Sequence, residues 1–444
     1  MIRKLMKELT KEYFASMQSE YENDRVAKAV RRAMFKTDVM DLAKVQEKLN
    51  ETQHQFSINI PTMKATSQGQ SGRCWIFAGC NFLREEVSKK CNIEDFELSQ
   101  NYIAYCDKLE KINYTMESII KLKDASWDDR TLMWVLQGGI NDGGQWDMFT
   151  AIIKKYGVMP KSVFPESKMS GATRNWATLV NRRLRKFASE VHAFKDDNDK
   201  IYELKDKCMR ELYSFTTSAF GLPPKTFDFE YVDKDKNYHI DKGLDPHIFY
   251  DKYVGLNLDN YVSLINSPTV DKPYYERFTV NFVGNVVGND VTYLNVTMDD
   301  MKKAVIDTLK DGHIVWFGSD CGKWGDRVSG IWDPDSFDLE SLFGFDFEID
   351  KENALYYSES AMNHAMCITG VNLDGDKPTK WRIENSWGTE NADKGYYLAS
   401  DRWFDEQVFQ AVINKKYLSE KILKCLDSKP HELNPWDPMG TLAD

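Results

Sequence analysis

Residues 68–78 read Q-G-Q-S-G-R-C-W-I-F-A, and the reading of the whole chain turns on this stretch. Cys74 follows a turn signal, Ser71-Gly72, and opens a segment, 74–90, that contains one glycine and no proline. The segment predicts a helix whose first half is buried, because apolar residues cover most of its faces early and Arg84, Glu85 and Glu86 come later. A helix N-terminus carries partial positive charge and unpaired N–H groups, which favour a thiolate over a thiol and leave a donor for a developing oxyanion. Gln68, six residues before Cys74 on the far side of the turn, offers a side-chain amide as a second donor.

A thiolate nucleophile needs an imidazole that keeps it charged and later protonates the leaving amine. Of seven histidines, His364 is the best placed. It precedes a strand-like run, H-A-M-C-I-T-G-V, and 21 residues later Asn385 ends another, W-R-I-E-N-S-W-G. Adjacent strands would bring these ends together, so that the Asn385 carbonyl holds the imidazole and Trp387 shields that hydrogen bond from water. The expected arrangement is Cys, His, Asn.

Outward from these residues, Tyr13, Phe14, Met17 and Tyr21, and then Val26, Ala29, Val30, Ala33 and Met34, recur at helical spacing and predict two N-terminal helices. Charged and polar residues dominate about 195–207, and Gly and Pro interrupt the stretch after it, so 166–290 reads as an inserted helical and irregular region. M-D-D-M-K-K-A-V-I-D-T-L-K-D-G predicts an amphipathic helix ended by Gly312. Short apolar runs at 314–317, 365–371, 381–384 and 396–399 predict a β-rich C-terminal half. The fold class is therefore α+β.

The chain of 444 residues is 42% hydrophobic and 29% charged, the balance of an ordinary globular protein able to bury a large core. No apolar run of about 18 residues is present, and the charged N-terminus lacks a secretory pattern, so no membrane association and a cytoplasmic location are expected. Eight cysteines occur without a C-x-x-C pair, which argues against a structural metal site; no metal or cofactor is expected. The net charge of −11 disfavours nucleic acid as a partner.

Taken together, these motifs resemble the papain superfamily, whose signature is C-G-[SA]-C-[WY] with His and Asn about 130–150 residues downstream. Here Ser71-Gly72-Arg73-Cys74-Trp75 stands at the signature, with Ser71 in place of a cysteine that is disulfide-bonded in secreted members. His364 lies 290 residues after Cys74, so the resemblance implies a large insertion between the two halves. The bleomycin hydrolase / aminopeptidase C branch is the most similar, through Q-x-x-S-G-R-C-W, E-L-S-Q-N-Y-I from Glu97, N-D-G-G-Q-W-D-M from Asn141, N-H-A-M from Asn363 and W-D-P-M-G from Trp436. Ser67 and Gly69-Gln70 depart from that branch's usual residues without removing a catalytic group.

The resemblance implies a papain-like fold with large insertions. Its expected parts are an N-terminal helical region (1–58), a helical half with the cysteine (59–165), the insertion (166–290), a β-rich half with the histidine and asparagine (291–425) and a C-terminal arm (426–444). It assigns catalysis to Cys74, His364, Asn385 and Gln68. Asn141, Gly143, Gly144 and Trp387 are expected along the substrate cleft, where a bare glycine backbone can pair with an extended peptide. It also implies that the tail lies in the cleft, with a terminal carboxylate on Ala443 or Asp444 that receives the α-amino group of a peptide substrate, and that the protein is a homohexamer. The expected activity is a cysteine aminopeptidase. A cysteine endopeptidase and a non-catalytic peptide- or nucleic-acid-binding protein are the rivals.

Overall fold

The computed structural model describes residues 7–443; Asp444 lies outside them. The helix expected at 74–90 runs Cys74–Cys91, with an unbroken buried stretch from Cys74 to Arg84. Beside it stand Gln100–Lys121 and Trp146–Tyr156. Gly79 permits close packing between two of these helices, since a Cβ there would lie 2.6 Å from the Phe149 ring.

A twelve-stranded mixed sheet forms the other half. Its centre is Val315–Ser319 between Val408–Asn414 and His364–Asp374, continuing to Lys377–Glu384 and Tyr396–Ser400, these five strands pairing antiparallel with one another. The four apolar runs of the sequence thus all lie in strands of one sheet. Alternate side chains explain why the central runs are apolar throughout. Trp316, Ala365 and Cys367 belong to the core shared with the Cys74 helix, whereas Val315, Phe317, Met366 and Ile368 belong to a second core. That second core includes Met301, Val305 and Leu309 of the amphipathic helix Met298–Lys310. A strand buried on both faces needs no polar alternation.

Within 166–290, two long helices, Arg174–Ala193 and Asn198–Phe220, are followed by a hairpin of Phe227–Val232 and Tyr238–Leu244. The same segment then supplies Tyr261–Ile265 and Arg277–Val280 to the large sheet, so β structure of the main sheet begins before residue 291. These strands are four or five residues long and flanked by turns, which hides their period-2 pattern. At the other end of the chain, Lys11–Asn23 and Arg25–Met34 are helices capped by the Thr10 and Asp24 side chains. Neither helix buries a residue, and Tyr13, Phe14, Val26 and Phe35 are exposed.

Candidate active site

Cys74 is the first residue of its helix, and the Arg73 before it supplies no side-chain cap. The N-terminal N–H groups are thus left for whatever lies at this end. The turn that presents the cysteine is held from beneath. Ser71 Oγ donates to the Gln68 carbonyl at 2.7 Å and accepts from Arg73 Nε at 2.9 Å, while the buried Arg73 guanidinium makes a two-pronged pair with Glu166 at 3.1 and 3.0 Å. Gln68 Nε2 donates to the Ser71 carbonyl at 2.7 Å, and its Oε1 accepts from Ser386 Oγ at 2.7 Å. The amide is therefore fixed in orientation, with its second N–H not used by the Ser71 bond.

His364 opens its strand opposite Ser319, and its neighbour Ala365 donates a backbone N–H to Cys74 Sγ at 3.4 Å. This contact joins the helical half to the β-rich half at the thiol. Asn385 follows the last residue of Lys377–Glu384, and its Oδ1 lies 2.8 Å from His364 Nε2. The same Oδ1 accepts the Ser386 N–H at 2.7 Å, so the amide cannot swing freely. Trp387 covers the imidazole with ring centroids 4.9 Å apart. With Nε2 engaged by Asn385, Nδ1 is the ring nitrogen not used by that bond.

Burial pushes the Cys74 thiol up to about 11, against the pull of the Ala365, Trp75 and Cys74 backbone N–H groups. Burial likewise pushes the His364 imidazole down to about 4, against the Asn385 hydrogen bond. Each group taken alone is thus held neutral by its dry surroundings. A proton passed from sulfur to nitrogen would leave two opposite charges that relieve each other in low-dielectric surroundings.

The glycine pair packs against the start of the Cys74 helix. A Cβ on Gly144 would lie 2.3 Å from the Trp75 ring, so the backbone can approach the helix only as glycine. The Gly144 N–H donates to the carbonyl of Leu442 at 2.8 Å. The tail segment Pro438–Ala443 is further held by Tyr293 Oη and Gln145 Nε2, both on the Met439 carbonyl, at 3.0 and 3.4 Å. Thr441 Oγ1 reaches the Met362 carbonyl at 2.8 Å, two residues before His364. Ala443 lines a cavity with Asn141, Lys111 and Trp134. Asn141 is turned towards Lys111 rather than outward, its Oδ1 3.4 Å from Nζ.

Several residues that build the site are given no role by the sequence alone. Lys108 and Lys111, buried on one face of Gln100–Lys121, donate to the carbonyls of Asn141 and Gly143. Asp142 accepts from Lys108, Thr173 and the Gly72 N–H at 2.8, 2.5 and 3.0 Å, tying the cysteine turn to the segment that carries the glycine pair. Burial alone would raise the Asp142 pKa, yet these three donors hold it below the usual carboxylate range. Arg84 and Glu384, buried and 2.8 Å apart, join the Cys74 helix to the residue preceding Asn385. Among the described residues no group of three or more His, Cys, Asp or Glu could hold a metal ion. All eight cysteines are free thiols.

A helical half and a β-rich half meeting at a cysteine on one side and a hydrogen-bonded His–Asn pair on the other is the architecture of a papain-like cysteine peptidase. The chain belongs to the Peptidase C1-like family, whose sequence model matches residues 8–440. It is 45% identical over 395 residues to Aminopeptidase C of Lactobacillus delbrueckii subsp. lactis, covering 87% of this chain and 88% of that one. It is 41% identical to Aminopeptidase C of Lactococcus lactis subsp. cremoris, covering 98% and 100%. Its fold superposes on the crystal structure of PepW from Lactobacillus rhamnosis HN001 with a TM-score of 0.95, at 43% identity over 98% of this chain and 99% of that one. The bleomycin hydrolase / aminopeptidase C resemblance of the sequence is that of its relatives.

Proposed function

We propose that this protein is a cytoplasmic cysteine aminopeptidase that removes N-terminal residues from peptides, its own C-terminal segment closing the end of the cleft. The observation that carries this reading is the 2.8 Å hydrogen bond from Gly144 N–H to the Leu442 carbonyl. A bare glycine edge in a cleft is where an extended substrate would pair. Here the tail holds that edge, leaving room for little of a substrate beyond the residue whose carbonyl is attacked. A carboxylate at the end of the tail would then pair with the substrate's free ammonium.

In this mechanism the Cys74 proton moves to His364 Nδ1 and the thiolate attacks the peptide carbonyl. The backbone N–H of Cys74 and the Gln68 amide stabilise the oxyanion. As the intermediate collapses, the C–N bond breaks and His364 gives its proton to the leaving amine. Water attacks the thioester, loses its proton to His364 and expels the Cys74 thiolate. Asn385 keeps the ring aligned throughout and Trp387 keeps water from their bond.

Among the described residues no helix is long and apolar enough to cross a membrane. The apolar side chains exposed on the N-terminal helices support self-association, and a homohexamer would give a mass near six times the 51.5 kDa chain in light scattering; a monomeric mass contradicts it. The net charge of −11 weighs against a nucleic-acid partner. The test of the activity is hydrolysis of a peptide with a free α-amino group beside its N-acetylated twin. Preference for the free amine, absent in Cys74→Ala, is expected. Equal cleavage of the blocked twin would favour an endopeptidase, and activity surviving in Cys74→Ala would overturn the mechanism.

A further inference from the structure

Trp387 has a further neighbour besides His364 to account for. The guanidinium of Arg327 lies over its ring, 5.1 Å from the centroid, while the His364 imidazole lies 4.9 Å from that ring. The guanidinium also touches the phenol oxygen of Tyr397, itself edge-on to Trp387. Both neighbours are uncharged. Among the described residues no carboxylate lies within ion-pairing distance of Arg327, and the adjacent Asp326 is committed to Lys44 at 3.0 Å and to the Ser329 N–H at 3.0 Å.

Arg327 is nonetheless held in place. It sits at the tip of a short hairpin whose strands Gly325–Asp326 and Ile331–Trp332 are paired with each other and with the main sheet. Val328 next to it accepts the Ala392 N–H at 3.1 Å, which binds the tip to the segment after Trp387. An exposed cation fixed on a rigid turn, stacked on an aromatic ring and lacking a counterion is a preformed site for an anion.

We infer that Arg327 is a specificity residue that binds the C-terminal carboxylate of short peptide substrates. The inference rests on the peptidase reading above. His364 must hand its proton to the leaving amine, so the departing part of the substrate lies on the His364 and Trp387 side of the scissile bond. The guanidinium is at most about 10 Å from the imidazole, and an extended chain advances about 3.3 Å per residue, which places it near the second or third residue past the bond. A planar, two-pronged donor there matches the carboxylate of a tripeptide or tetrapeptide. The protein is thereby tuned to finish short peptides, while longer chains run past Arg327 without this contact.

The test uses the full-length enzyme and trialanine as its free acid, its C-terminal amide and its N-acetyl derivative. The wild type is expected to favour the free acid over the amide by about fivefold or more in kcat/KM. Arg327→Gln should abolish that preference, and Arg327→Lys, which keeps the charge without the planar fork, should retain part of it. An acid-to-amide ratio near one in the wild type, or a ratio unchanged in Arg327→Gln, overturns the assignment. The N-acetyl arm reports separately. Cleavage of the blocked peptide with the acid preference intact would sink the aminopeptidase reading and leave Arg327 as a carboxylate site.

Discussion

Replacing Asn385 with alanine isolates the group that aims the imidazole. In the folded protein Asn385 Oδ1 serves His364 Nε2 at 2.8 Å and the Ser386 N–H at 2.7 Å, with the side chain wholly buried. Alanine leaves both nitrogens facing a small apolar gap. Stranding a buried donor costs about 1–3 kcal/mol, so a loss felt wholly in the transition state lowers kcat/KM by roughly 5- to 150-fold. The pH profile should move as well. The Asn385 bond raises the His364 pKa against burial, so its removal lowers that pKa; because His364 must be neutral to take the Cys74 proton, the acid limb of kcat/KM moves to lower pH. The assay is kcat/KM against pH per alkylatable Cys74, so that unfolded enzyme does not count, with the melting temperature measured in parallel. A loss below twofold per active site, or a rate loss with an unmoved acid limb, would refute the orienting role.

Gly144→Ala drives a Cβ to 2.3 Å from the buried Trp75 ring and should cost about 1–3 kcal/mol of stability together with most of the activity, read by denaturant midpoint and turnover. Glu85, which burial pushes up to about 7 despite Arg84 at 3.7 Å, binds a proton more tightly folded than unfolded. Its contribution, about 3 kcal/mol, is therefore complete below the ordinary glutamate range near 4.5 and is lost as pH rises through 7. Glu85→Gln should flatten that fall in a series of unfolding curves from pH 4.5 to 8, and an identical slope in the variant would contradict it.

The residues that meet at the thiol were legible because each sits at an element end with a local signature. Cys74 follows Ser71-Gly72 and opens a helix, while His364 and Asn385 bound apolar runs that had to be strands. The supports behind them were not legible. Asp107, Lys108, Glu110 and Lys111 look like the solvated face of an amphipathic helix, yet all four are buried, because their partners arrive from the 141–143 loop and from other helices. Arg84 and Glu384 are 300 residues apart, and no local pattern announces such a pair. Arg327 was invisible for the opposite reason, since an exposed arginine on a turn is ordinary until Trp387 is found beneath it. The N-terminal helices show the limit of periodicity: the apolar spacing was real, but it faces outward and not into this chain's own core.

The claim that the tail gates the cleft is tested most directly by deleting residues 441–444, which removes the Leu442 carbonyl from Gly144. The free-amine and N-acetylated peptides are then compared in intact and truncated enzyme. The account predicts that the intact protein cleaves the free-amine peptide preferentially and that the truncated one accepts the blocked peptide as well. A truncated enzyme that still refuses the blocked peptide would contradict it.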